Sequence, residues 1–152
     1  MFKQIISTVA DALKGQSHED LPDVSVTNDA SKSPNLFEVR SVTDGDTICV
    51  ECSWAPPTLS RMAIRLRGID TPEKGWRAKC PEEARLGELA TAKLKEIVET
   101  AEQIEFNNLE WDKYGGRVLA DVVVDGIPVA DRLIAAGLAK PYDGGTKASW
   151  CD

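Results

Sequence analysis

A chain of 152 residues with 42% apolar and 28% charged residues has the make-up of one globular domain with room for an appendage. No apolar run in it is long enough to span a bilayer. The net charge of −7 divides as −2 over residues 1–35 and −5 over 36–152, so a polyanionic partner would need a local basic site or a bound cation. The four cysteines do not read as a metal site, because Cys49 and Cys52 lie three apart on a strand and point to opposite faces.

At the N-terminus, Phe2, Ile5, Ile6, Val9 and Leu13 recur at helical spacing. Gln4, Ser7, Thr8 and Asp11 interrupt that stretch too often for a secretory core, which points to a cytoplasmic chain. Ser, Asp, Asn and Pro dominate from about Gly15 to Asn35, a linker composition. The expected organisation is therefore an amphipathic helix with a flexible linker over 1–35 and a folded domain over 36–152. The helix is either a dispensable end or a docking element for a partner.

The domain begins with alternation over Leu36–Thr43, an Asp44-Gly45-Asp46 turn and a returning strand over Thr47–Cys52. A loop over Ser53–Ser60 carries Trp54, Pro56 and Pro57, and a third strand spans Arg61–Ile69. Cys80-Pro81-Glu82-Glu83 is a helix start, with proline at the first position and acids in the first turn. Leu86, Leu89, Ala90, Leu94, Ile97, Val98 and Ala101 are expected on its buried face. A fourth strand over Gln103–Glu110, a glycine-rich turn and a fifth strand over Arg117–Val124 follow. Asp125-Gly126 then marks a turn, and a second helix over Val129–Ala136 ends on Gly137. The final residues show no periodicity. Three strands, a helix, two strands and a helix fit a five-stranded OB barrel, α+β by content.

Polar residues concentrate in three segments. Asp44-Gly45-Asp46-Thr47 lies between the first two strands. Arg65 leads into Asp70-Thr71-Pro72-Glu73, where the proline fixes the corner and aims two carboxylates from a stiff turn. Asp112-Lys113-Tyr114-Gly115-Gly116-Arg117 enters the fifth strand. Each segment alone is ordinary turn chemistry. In this order around this pattern of elements they are specific.

Over about Leu36 to Lys140 the chain resembles the thermonuclease, or staphylococcal nuclease-like, family, and all three segments match it. The resemblance implies an OB barrel that hydrolyses the phosphodiester bonds of DNA and RNA with calcium. It implies Asp46 and Asp70 as metal carboxylates, Thr71 as a ligand through its carbonyl, and Asp44 as a carboxylate behind them. It implies Glu73 as general base, Arg65 and Arg117 as phosphate-binding arginines, and Lys113 and Tyr114 as contacts to a nucleotide's terminal phosphate. An all-oxygen set suits calcium rather than zinc, and planar guanidinium forks match phosphate.

Three departures stand out. Tyr114-Gly115-Gly116-Arg117 is one residue longer than the family's usual Tyr-Gly-Arg, Tyr142 falls out of step with the family's aromatic positions, and the long C-terminal helix of its best-known member is missing. The resemblance also pairs a cysteine before the first helix with a Trp-Cys ending, here Cys80 and Cys151. The other possibility is that both stay reduced, as in a cytosolic chain, whereas a bond between them points to a secreted or periplasmic one. The main alternative to a monomeric calcium-dependent nuclease is a module of the same fold that binds nucleic acid or a protein without cutting. A binding module has no need to keep Asp46, Arg65, Asp70, Glu73 and Arg117 together.

Overall fold

The computed structural model describes residues 37–152, which form one compact unit. The N-terminal helix and linker expected over 1–35 lie outside the described residues. Strands β1 (Phe37–Asp44), β2 (Thr47–Cys52) and β3 (Arg61–Leu66) form an antiparallel meander, and the short β4 (Ile69–Asp70) follows. Helix α1 (Pro81–Glu99) leads to β5 (Ile104–Trp111), β6 (Arg117–Val124), β7 (Ile127–Pro128), α2 (Val129–Ala135) and β8 (Lys140–Pro141). The main sheet runs β1-β2-β3-β6-β5, with β3 and β6 parallel and β7 added beside β6.

The five long strands and the two helices thus follow the OB arrangement expected from the sequence. The hydrogen-bonded sheet does not close into a full barrel, since its path ends at β1 and β5. Across that seam the rings of Phe37 and Phe106 meet edge to face, with centroids 5.4 Å apart. Alternation builds the core: Ile48, Val50 and Cys52 from β2, Ile64 and Leu66 from β3, and every second residue of β6 point inward.

Three local features depart from the sequence expectation. The third strand stops at Leu66 rather than Ile69, because Gly68 takes a φ of +83° and turns the chain. Ile69 and Asp70 then pair with Pro141 and Lys140, which brings the C-terminal region across the motif turn. The buried stripe of α1 is Glu83, Gly87, Ala90, Thr91, Leu94 and Ile97, so Leu89 is left 45% exposed. Small residues form the close-packed half of that stripe, and hydrophobicity alone does not reveal a face chosen for close approach. Helix α2 ends as expected on Gly137, at φ +72°, with Leu138 N–H donating to Leu133 O and Gly137 N–H to Ile134 O.

Candidate active site

Two glycines let the site close. A β-carbon on Gly45 would stand 2.7 Å from Ala90 Cβ and 3.0 Å from Thr71 Oγ1, so only glycine lets the β1–β2 turn nest between α1 and the Asp70–Glu73 turn. A β-carbon on Gly87 would fall on the carbonyl of Glu73 and stand 2.9 Å from the Lys74 nitrogen. The two close approaches press three separate segments together. Beside Gly87, Glu83 braces the turn by accepting from the backbone N–H of Lys79 at 2.6 Å and of Glu73 at 3.4 Å.

Asp46, at the start of β2, is buried. Thr47 Oγ1 donates to its Oδ1 at 3.0 Å, and Arg65 Nη2 lies 3.5 Å from its Oδ2. Burial pushes the Asp46 carboxyl up to about 6, helped by a hydrogen bond and the like charge of Asp44, and opposed by Arg65 and Thr47. Arg65 also donates to the carbonyls of Leu66, its neighbour on β3, and of Ile69 on β4, at 3.2 Å each. Its guanidinium carbon also stands 5.8 Å from the ring centroid of Tyr142.

Asp70 is 4% exposed, and both its oxygens are engaged. Lys147 Nζ lies 3.0 Å from Oδ1, and Trp150 Nε1 donates to Oδ2 at 3.1 Å. Burial pulls the Lys147 ammonium down, but the hydrogen bond and charge of Asp70 outweigh it and hold the pKa above its ordinary value. The charges of Arg65 and Asp46 act on Lys147 too, so all four belong to one electrostatic neighbourhood. Asp70, Thr71 and Glu73 line the inner part of an open cleft of about 460 Å³.

Arg117, at the start of β6, makes a two-pronged contact with Asp112 Oδ2 at 3.1 and 2.8 Å. Burial raises the Asp112 carboxyl, but the Tyr114 backbone N–H and Arg117 outweigh it and hold the pKa below the usual carboxylate range. Arg65 contributes to that lowering, which ties this corner electrostatically to the first two segments. The extra glycine is absorbed in the turn, where Gly115 and Gly116 both take φ +74°. Beyond it, β3 and β6 pair Ala63 with Arg117 and Arg65 with Leu119. Lys113 and Tyr114 stand at the exposed tip, with Lys113 Nζ 5.0 Å from the tyrosine ring centroid and 3.5 Å from Gly144 O.

The fold therefore brings Asp46, Arg65 and Asp70 together, with Thr71 and Glu73 on the cleft beside Asp70. Asp44 lies behind Asp46, and Arg117 adjoins through Asp112. Sequence reading missed Tyr142, Lys147 and Trp150. The last two are fastened near the site by the Cys80–Cys151 disulfide, which closes a separation of 71 residues. The only signal for them was the Trp150-Cys151 ending. Cys80, Glu83 and Cys151 have donor atoms within 4.8 Å of one another, yet the two sulfurs are bonded together and Glu83 holds backbone amides. That cluster does not fit a metal. Asp46 and Asp70 do: buried oxygen donors, with the negative charge of Asp44 next to Asp46, suit a hard cation.

Residues 63–149 match the family described as staphylococcal nuclease homologue. Among curated proteins, the chain is 39% identical over 99 residues to the SPbeta prophage-derived endonuclease YokF of Bacillus subtilis (strain 168), covering 64% of this chain and 31% of that protein. It is 38% identical over 99 residues to endonuclease YncB of the same organism, covering 64% of this chain and 43% of that protein. The chain thus spans less than half the length of these relatives.

Proposed function

The chain belongs to the staphylococcal nuclease homologue family, and from that premise we propose that it hydrolyses phosphodiester bonds of DNA or RNA with a calcium ion. The observation that carries the proposal is the buried Asp46–Arg65 pair, whose guanidinium also reaches the carbonyl of Ile69 next to Asp70, together with the cleft that Asp70 and Glu73 line.

In this reading Asp46, Asp70 and the Thr71 carbonyl hold the cation. When bound, calcium neutralises a phosphate oxygen and polarises water. Arg65 and Arg117 hold the charge that builds on the phosphate oxygens in the transition state. Asp112 keeps the Arg117 fork oriented in the meantime. Glu73 takes the proton of the attacking water, for which it must come within hydrogen-bond reach. Trp150 orients Asp70 through its donated hydrogen bond, and Lys147 supplies positive charge beside the same carboxylate. Lys113 and Tyr114 would meet the substrate further along its backbone. The Cys80–Cys151 bond favours an oxidising compartment as the place of work over the cytoplasm.

The test is digestion of a plasmid and of a structured RNA, with calcium and with chelator. Cleavage that needs calcium is the expected outcome. Binding without cleavage under every condition would leave a nucleic-acid-binding module of the same fold.

A further inference from the structure

Beyond Asp70 and Glu73 the cleft continues outward between two walls. One is the 3-10 turn Gly75–Arg77 and the other is the tail segment Lys147–Trp150. The lining reaches Lys79 on the first wall and Trp150 on the second, and the next residue on each is half of the Cys80–Cys151 bond. The disulfide therefore fixes the spacing of the walls from behind.

Trp76 stands on the first wall, 89% exposed, with the Arg77 guanidinium carbon 5.4 Å from its ring centroid. An isolated exposed indole is unremarkable on any surface. This one sits on a short turn, next to a cation, on the rim of a cleft whose inner end holds the candidate catalytic carboxylates.

Charge points the same way. Of the three acids that line the cleft, Asp70 is committed to Lys147 and Trp150 and Glu83 to the amides of Glu73 and Lys79, which leaves the Glu73 carboxylate beside Asp70. Arg77 and Lys79 are exposed and make no ion pair with any described residue. Two uncommitted cations beside an aromatic face stand out in a chain of net charge −7. That pairing matches an unpaired strand, whose phosphates follow cations while its bases stack on aromatic rings. A duplex offers no base face until a base is unstacked.

We propose that this cleft is a subsite for an unpaired strand of DNA or RNA, with one base stacked on Trp76 and the neighbouring phosphates against Arg77 and Lys79. The inference rests on the nuclease reading, because Asp70 and Glu73 at the inner end are what direct a strand along this path.

The experiment is fluorescence anisotropy of a labelled oligothymidylate and a labelled oligouridylate, each with the full-length oxidised protein in chelator. Trp76→Ala is expected to weaken binding by about tenfold, the scale of losing one base–aromatic stack, while Trp76→Phe keeps most of the affinity. Arg77→Gln combined with Lys79→Gln should lower the slope of log affinity against log salt by about 1.4, the value for two phosphate contacts on a single strand. Melting temperatures should not change, since all three side chains are exposed. Dependence on Trp76 with only one oligomer supports the subsite and assigns it to that nucleic acid. Wild-type affinity in Trp76→Ala, an equal loss in Trp76→Phe, or no strand binding by the wild type overturns the proposal. Cleavage is read separately. Wild type that binds with this Trp76 dependence but never cuts in calcium keeps the subsite and sinks the nuclease reading. Wild type that cuts while Trp76→Ala binds normally does the reverse.

Discussion

Arg65 holds together four parts of the chain: Asp46 on β2, the carbonyls of Leu66 and Ile69, and the ring of Tyr142. Its role in the fold therefore cannot be separated from the role proposed for it toward a phosphate. Arg65→Ala should cost roughly two or more orders of magnitude in rate, the scale of one preorganised transition-state contact. It should also lower the melting temperature. Asp46 would be left facing Asp44 without its ion-pair partner, and breaking a buried pair from one side costs on the order of 3–5 kcal/mol. Glu73→Gln should lose rate on the same scale with little change in melting, because its carboxylate makes no hydrogen bond or ion pair with any described residue; its backbone N–H, which Glu83 accepts from, is untouched. Single-turnover cleavage alongside melting curves separates the two. Equal melting losses in both variants would contradict this division. Arg65, Asp70 and Glu73 were singled out in the sequence through the resemblance to the family, since a proline-fixed corner after an alternating strand is by itself ordinary turn chemistry. Tyr142, Lys147 and Trp150 were not, because their positions depend on the β4–β8 pairing and on a disulfide, neither of which has a periodic signature.

The secondary elements themselves were readable from hydrophobic period and turn residues, down to the Asp125-Gly126 turn, where both residues take positive φ. The facing of α1 was readable at Ala90, Leu94 and Ile97 but not at Leu89, because the contact side also carries Gly87 and Thr91, which hydrophobicity does not reveal. At the opposite end of that helix axis from Thr100, Cys80 caps α1 and joins the tail, so one covalent bond ties helix, tail and Asp70 together. Free-thiol titration of the denatured, non-reduced protein should find two thiols, Cys49 and Cys52. Cys80→Ser with Cys151→Ser should destabilise by ~4 kcal/mol in the loop-entropy account. The same variant should also bind calcium more weakly at a temperature where it is fully folded, because Trp150 is no longer held against Asp70. Four titrated thiols would exclude the bond. Unchanged calcium affinity in the folded double variant would remove the tail from the site.

For the molecule as a whole, a net charge of −7 sets the electrostatic problem that a bound cation would relieve. Without metal, Asp46 is raised from 3.8 to about 6, so the folded chain holds that proton more tightly than the unfolded one. The stability from this group is complete below about 3.8 and is lost as pH rises through about 6. Asp112, held below its ordinary value by Tyr114 and Arg117, acts in the opposite sense and loses its contribution as pH falls. Under the proposed function calcium would compete with the proton for Asp46, so its stabilising effect should be large above about pH 6 and shrink toward pH 4. At a hundredfold excess over its dissociation constant, a ligand of the native state alone adds about 2.7 kcal/mol. Melting temperatures measured in calcium and in chelator across this pH range should therefore diverge as pH rises. Asp46→Asn should abolish most of the divergence, since it removes both the titrating group and a proposed cation ligand, while leaving the Asp112 contribution intact. A calcium shift of the same size at pH 4 and pH 7, or one that survives in Asp46→Asn, would place the cation away from Asp46.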